Sequence, residues 1–162
     1  SEQTEQDMAW LQALIGGVRN IRGEMKLGNA VRLPVILENV SADEAASLSR
    51  IENQFKALAK VESLTTAQAG ADLPLSSSSM VGQVKVMVPM KGLIDPTAEL
   101  ARLGKTQDKL QAQADGIARK LTNEGFVSKA PPAVVAAEQA KLDELQTQLA
   151  EIGKQVEQLK AL

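Results

Sequence analysis

The first pattern along the chain is an amphipathic one over residues 7–25. Apolar side chains recur there at spacings of three and four, as on one face of an α-helix, and the stripe consists of Met8, Leu11, Leu14, Ile15, Val18, Ile21 and Met25, with Arg22 on the same face. Three glycines interrupt this helix, each costing about 1 kcal/mol relative to alanine; they are Gly16, Gly17 and Gly23. They indicate either close packing or ligand contact, or a bundle whose other helices lie outside this sequence.

A strand and a capped helix follow. Residues 32–40 predict a strand with one apolar face, and Pro34 favours an edge position because proline cannot donate a ladder hydrogen bond. Ser41 and Glu44 form a capping-box pattern, in which the side chain of each satisfies the backbone donor of the other. This pattern begins a helix that ends near residue 60, and its predicted buried stripe is Leu48, Ile51, Phe55 and Leu58.

Two further strand patterns complete a small module. Residues 61–66 predict a short strand, and residues 78–90 predict a hairpin that turns at Gly82-Gln83. The second arm of the hairpin alternates clearly between two faces, one of which carries Val84, Val86 and Val88. The predicted order is therefore β-α-β-β-β, a small mixed α+β module over residues 31–94.

A different pattern begins at Asp95, which supplies an N-cap acid before Pro96 at the first helical position. Apolar a/d heptads then occupy two long segments, one on each side of a break at residues 123–132. Their core positions are Leu100, Leu103, Gln107, Leu110, Ala114, Ile117 and Leu121, then Leu142, Leu145, Leu149, Ile152, Val156 and Leu159. The pattern predicts a long antiparallel two-helix coiled-coil hairpin over residues 95–162, with arms of about 40 Å at 1.5 Å per residue.

The amino-acid composition then excludes several classes of enzyme mechanism. The 162 residues include no Cys and no His, and only 2% are aromatic. Thiol nucleophiles, thiolate zinc sites and histidine bases are therefore excluded. The apolar fraction of 44% is enough for a packed core.

The remaining catalytic patterns fail on spacing. Gly104-Lys105-Thr106 resembles the end of a phosphate-binding loop, but Glu99 stands where the earlier glycine belongs. The acid pairs Asp43-Glu44 and Asp143-Glu144 suit helix N-termini or solvated faces. We therefore expect no catalytic residue, no metal site and no bound cofactor in this chain.

Bulk charge and hydropathy favour a cytoplasmic protein. The net charge is −2, from 18 Lys and Arg against 20 Asp and Glu, which argues against a generic polyanion binder. No apolar run approaches the length of a membrane span. The acidic start, residues 1–7, lacks the basic and apolar regions of a signal peptide.

Local charge differs from bulk charge in two places. Residues 18–32 carry a basic surplus of three, and residues 117–130 carry a surplus of two together with Phe126. Each cluster is suited to phosphates, and the Phe126 ring to a stacked base. The alternatives are a solvated helix face in the first case and a plug at the hairpin tip in the second.

Three segments resemble the C-terminal region of bacterial valyl-tRNA synthetases. The residues 123–131, Asn-Glu-Gly-Phe-Val-Ser-Lys-Ala-Pro, are similar to the tip of the C-terminal arm of that family. The segment from Trp10 to Met25 resembles the last helix of its anticodon-binding bundle. Val88 to Ile94 resembles the link between a small junction module and the arm. The three glycines of the first helix depart from the family's pattern.

The resemblance implies a class I enzyme that joins valine to its tRNA with ATP. This chain would be its C-terminal piece: a bundle-helix fragment at 1–30, a junction module at 31–94 and a tRNA-binding arm at 95–162. It would bind ATP only as part of the full-length enzyme, and its partners would be valine tRNAs and upstream domains, with no DNA or membrane. The predicted tRNA contacts are Arg119, Lys120, Asn123, Phe126 and Lys129 near the tip, then Arg19, Arg22 and Lys26.

Two alternatives remain at this stage. The heptads are equally consistent with a structural or oligomerisation module that mediates protein–protein contacts. A carboxylate enzyme acting alone is the other, although no paired site supports it.

Overall fold

The computed structural model describes all of residues 1–162 and divides into two compact units, residues 1–94 and residues 95–162. Unit 1 consists of α1 (Glu2–Met25), β1 (Leu33–Glu38), α2 (Ala42–Ala59), β2 (Val61–Ala67), β3 (Ser76–Val81) and β4 (Val84–Pro89). Unit 2 consists of α3 (Thr97–Thr122), α4 (Glu124–Lys129) and α5 (Pro132–Lys160). The predicted mixed α+β class is confirmed. None of the helices has both the length and the apolar character that a membrane crossing requires.

The four strands form one mixed sheet in the order β2-β1-β4-β3. β1 and β2 are parallel, so α2 serves as their crossover. β4 runs antiparallel to both β1 and β3, and the β3–β4 hairpin turns at Gly82, whose φ of 59° suits glycine. The predicted strand and helix order is present, and the capping box of Ser41 and Glu44 is formed in both directions.

Pro34 lies in an interior strand, so the predicted edge position is wrong. The register of β1 against β2 shifts between Leu33 and Pro34, and the pairing of β1 with β4 covers only Ile36 to Glu38. Pro34 thus stands at a bulge and beyond the end of the β4 ladder. Its missing N–H interrupts no regular pairing there.

The core of unit 1 forms where the apolar stripes of α1 and α2 meet one face of the sheet. The strands contribute alternate residues, Leu33, Val35 and Leu37 from β1 and Val84, Val86 and Val88 from β4. Three of the four predicted core positions of α2 are buried, but Leu58 is 62% exposed. Ala59 is buried in its place, because i+4 from Phe55 returns to the same helix face.

The N-terminal helix shares this core, so residues 1–30 and 31–94 form one unit. Its stripe had no partner nearby in sequence because the partners lie on α2, β3 and β4. A Cβ on Gly17 would stand 3.2 Å from Val81 Cγ2, so glycine permits the close approach of helix and sheet. No neighbouring atom lies within 4 Å of such a Cβ on Gly16 or Gly23, so close packing explains Gly17 alone.

Arg22 joins three parts of unit 1 from the inside. Its side chain is 6% exposed and has no carboxylate partner among the ion pairs. Nη1 donates to the carbonyl oxygens of Gly28 and Val31, at 2.9 and 2.7 Å. Nη2 donates to those of Ala59 and Lys60, at 3.0 and 3.2 Å. Burial lowers the pKa of the guanidinium, which nevertheless stays protonated.

Asp7 makes a second buried polar contact between α1 and α2. Its carboxylate accepts hydrogen bonds from Arg50 Nε at 2.6 Å, Ser47 Oγ at 2.6 Å and Gln3 Nε2 at 3.0 Å. These bonds, that of Arg50 first, hold the pKa of Asp7 well below its usual range. The carboxylate is therefore ionised wherever the protein is folded near neutral pH.

We predict that Arg22→Met destabilises unit 1 by about 2 kcal/mol, because four carbonyls lose a charged donor and one of them, that of Ala59, is buried. Urea unfolding followed by circular dichroism measures the loss. Arg19→Met, an exposed position on the same helix, is the control and should change the stability by no more than about 0.5 kcal/mol. Equal unfolding midpoints for the two variants would contradict the role of Arg22.

The Asp7 contacts predict a pH dependence of stability. Because the pKa of Asp7 is lower in the folded than in the unfolded state, its contribution is complete above about pH 5. It declines as the pH falls through the ordinary value of 3.8. Asp7→Asn should therefore be less stable than the wild type at pH 6, and the difference should narrow at pH 3.

Urea midpoints at the two pH values test this, with Asp72→Asn as an exposed control. A difference between Asp7→Asn and the wild type that stays constant from pH 6 to pH 3 would show that the carboxylate charge contributes nothing.

Candidate nucleic-acid interface

The two long helices of unit 2, α3 and α5, pack against each other. Lys120, near the end of α3, lies beside Glu138, near the start of α5, with Nζ 3.4 Å from Oε1. Every predicted heptad position is buried or half-buried. The contact between α3 and α5 includes an apolar cluster of the buried residues Ala114, Leu142 and Leu145. The side chains that pack against this cluster are Leu110, Ile117, Leu121 and Leu149.

Helix α3 begins at Thr97, one residue later than predicted. The Asp95 side chain stabilises this end of the helix. Its Oδ1 accepts hydrogen bonds from the backbone N–H of Thr97 at 3.0 Å and from its hydroxyl at 2.7 Å. These bonds lower the pKa of Asp95, the backbone donor contributing most. The helix therefore begins at Thr97 rather than at Pro96.

The predicted break at the tip contains a short helix, α4. Asn123 caps it, since Oδ1 accepts from the backbone N–H groups of Gly125 at 2.9 Å and Phe126 at 3.4 Å. A Cβ on Gly125 would lie 3.2 Å from that oxygen, so glycine at this position avoids a close contact with the capping oxygen. The Nδ2 of Asn123 has no partner within the chain.

α4 also places Phe126 close to a cation of the arm. The ring centroid lies 6.0 Å from Lys120 Nζ, within the range of a cation–π contact. Phe126 is half-buried, so part of the ring remains open to a ligand. Arg119 and Lys129 are exposed and take no part in an ion pair.

Sequence reasoning missed an apolar surface beside this group. A groove of about 430 Å³ is lined by Leu121, Thr122, Glu124, Gly125, Val127 and Ser128. Val127 and, further along, Val134 are 40% and 42% exposed. Both valines are apolar residues outside the heptad positions, one in α4 and one near the start of α5. That pattern could have indicated an exposed apolar surface.

The basic residues of α1 divide between surface and core. Arg19 and Lys26 are exposed, and Lys26 ends the helix with a φ of 56°. Arg22 is 6% exposed, and its Nη1 and Nη2 donate to four carbonyls of the chain; this burial argues against the predicted tRNA contact, and Arg22 is not proposed as one. A small cavity of about 150 Å³ beside Arg19 is also lined by Lys60, which sequence reasoning did not select.

Nowhere in the chain do three or more Asp or Glu side chains converge as a metal site would require. What the tip offers is therefore an assembly of cations, an aromatic face and apolar surface. The carboxylates nearest to it are Glu124, on the rim of the groove, and Glu138, which neutralises part of the Lys120 charge.

We predict that Asn123→Ala loosens the tip, because a lost N-cap costs about 1 kcal/mol. The amide hydrogens of Gly125 and Phe126 should exchange faster with solvent, measured by NMR. Asn123→Asp keeps an acceptor oxygen and should preserve the protection. Unchanged exchange in Asn123→Ala would exclude the capping role.

Comparisons with known proteins agree with this geometry. A family model described as the valyl-tRNA synthetase tRNA-binding arm matches residues 95–160. Over all 162 residues the chain is 73% identical to a valine–tRNA ligase of Psychrobacter arcticus and 60% identical to one of Acinetobacter baylyi. It covers only 16% and 17% of the lengths of these two relatives. Residues 95–160 are therefore similar to the tRNA-binding arm of valyl-tRNA synthetases, and the whole chain is similar to about one sixth of the length of two bacterial valine–tRNA ligases.

Proposed function

We propose that this chain binds and positions tRNA as the C-terminal region of a valine–tRNA ligase and carries out no chemistry itself. The match of residues 95–160 to the tRNA-binding arm carries this proposal. The arrangement of Lys120 and Phe126 at the tip supports it. Precise placement of a bound substrate lowers the activation barrier of the reaction, because the translational and rotational entropy of the substrate is lost on binding and not in the chemical step.

The two long helices supply the reach that this role requires. α3 has 26 residues and is therefore about 39 Å long at 1.5 Å per residue. We propose that α3 and α5 form an antiparallel coiled coil, since their buried positions follow the heptad pattern. A paired helical arm keeps its tip in place where a single loop of that length would not.

At the tip, the proposed recognition is of shape and of exposed bases. A splayed base stacks on the open part of the Phe126 ring, as is usual for single-stranded RNA loops. Arg119, Lys120 and Lys129 meet phosphates, and Asn123 Nδ2 is a free donor for a base edge. On α1, Arg19 and Lys26 form a second, smaller set of contacts.

The remaining functions belong to the proposed full-length enzyme. That enzyme would join valine to its tRNA, as the names of the relatives imply. Its use of ATP and its cytoplasmic location are proposed from the sequence resemblance. DNA and membranes are not among the proposed partners, and no cofactor is proposed for this chain.

Other domains of the same polypeptide are proposed partners of unit 1. A groove of about 410 Å³ lined by Trp10, Gln6 and Asp43 supports this. The half-buried Trp10 side chain offers apolar surface there to a neighbouring domain.

The tip assignment predicts that Phe126→Ala with Lys129→Ala weakens tRNA binding at least tenfold, because a base stack is worth about 1–3 kcal/mol. Filter binding with a valine-accepting tRNA measures the affinity. Circular dichroism should show unchanged helicity. Lys154→Ala, on α5, is the control and should bind as the wild type does; equal affinity of all three proteins would refute the tip assignment.

The alternative, an oligomerisation module, is favoured by the exposed apolar residues Leu58, Met80 and Val134. Sedimentation with and without tRNA separates the two functions. A salt-sensitive shift on adding tRNA supports RNA binding. Self-association that is indifferent to tRNA supports the alternative.

A further inference from the structure

The charges of the arm are distributed unequally between its two long helices. α3 carries five basic and three acidic residues, a net charge of +2, whereas α5 carries three basic and five acidic residues, a net charge of −2. The arm as a whole therefore has a positive helix and a negative helix. Its near-neutral total conceals this difference.

All basic residues of α3 lie on one side of the helix. At about 100° per residue, they fall within about 100° of its circumference, a surface that we call the α3 basic face: Arg102, Lys105, Lys109, Arg119 and Lys120. All five are exposed. Asp108 and Asp115 lie to one side of this sector, and the buried heptad positions lie roughly opposite to it.

Much of this charge is not neutralised within the chain. Arg102 pairs with Glu99, and Lys120 is close to Glu138. Lys105, Lys109 and Arg119 take part in no ion pair. Three free cations thus follow one helix face from the middle of the arm towards the tip, over about 21 Å at 1.5 Å per residue.

Small residues leave this face open between its cations. Ala112 and Gly116 of α3 line a groove of about 540 Å³ together with Lys120 and, from α5, Glu138 and Lys141. No atom lies within 4 Å of a Cβ built on Gly116. A bulky backbone can therefore approach the helix closely between Lys109 and Lys120.

We propose that the α3 basic face, with Lys105 and Lys109 as its new contact residues, binds the RNA sugar–phosphate backbone along the arm. This inference rests on the proposed function and extends the contact from the tip to the shaft. Free cations on one face of a helix can meet phosphates of one strand, and the small residues accommodate its sugars. Of the five acidic residues of α5 only Glu138 lines this groove, and its carboxylate lies 3.4 Å from Lys120 Nζ.

The first experiment compares two charge-matched double variants of the full chain. Lys105→Gln with Lys109→Gln removes two cations from α3, and Lys154→Gln with Lys160→Gln removes two from α5. Affinity for a valine-accepting tRNA is measured by filter binding over about 50–200 mM salt. If two phosphate contacts are lost, the slope of log K against log salt concentration becomes shallower by about 1.5. The affinity of the wild type should then fall about tenfold more over this salt range than that of the α3 variant.

The α5 variant should keep the wild-type slope. Equal slopes in all three proteins overturn the proposal. If the tip variant of Phe126 and Lys129 weakens binding while the α3 variant does not, the proposed function stands and this inference fails. If the wild-type chain does not bind tRNA at all, both fail.

The second experiment uses the absence of cysteine from the chain. Ala112→Cys on α3 and Ala150→Cys on α5 each provide a single site for a thiol-linked photocrosslinker, and both positions are exposed. The proposal expects crosslinks to tRNA from position 112 and few from position 150. Equal yields, or more from position 150, overturn it.

Discussion

A buried guanidinium without a carboxylate partner holds unit 1 together. The Arg22 side chain extends from the core face of α1. It donates hydrogen bonds to two carbonyl oxygens in the segment after α1 and to two at the C-terminal end of α2. The Lys60 carbonyl also accepts from Leu33 N, the first residue of β1. The ends of two helices and the beginning of a strand therefore meet at one side chain. Removing it would deprive four carbonyls of their donor, one of them buried, which is more costly than losing an ordinary surface contact.

The arm depends on a different constraint, the continuity of one apolar stripe on each long helix. Because the heptad positions are occupied by side chains that face the partner helix, the polar positions are free to vary. Of the two long helices, α3 carries most of the unpaired cations and α5 most of the acids. Binding residues can then be arranged along a surface whose geometry is maintained by the contact between α3 and α5.

Much of the local structure was predictable because its causes lie within a few residues. The capping box at Ser41 needs only Glu44, three positions later, and the heptads of the arm need only their own period. The candidate site was predictable in the same measure: the tip segment, its cations and Phe126 follow from composition and spacing. The cap by Asn123, the cation–π contact with Lys120 and the apolar groove were not, because they depend on how α4 is oriented.

The residues that were misplaced share one reason. Pro34 was assigned to an edge strand, Leu58 to the core and Arg22, although on the apolar face of its helix, to the tRNA contacts. The first depends on which strands flank β1, the second on which face of α2 meets the sheet. The third depends on carbonyls as far away in sequence as Ala59 and Lys60. No local pattern carries that information.

The sequence by itself thus determined the elements, their order, the heptad stripe and the absence of thiol and imidazole chemistry, since these follow from residue type and short-range spacing. Only the tertiary structure decided where the α1 stripe is buried, why Gly17 has no side chain and which cations are free. Those properties arise from contacts between residues far apart in the chain. Burial converts Arg22 into a structural donor, and exposure leaves Lys105 and Lys109 available to a partner, although all three are simply basic residues in the sequence.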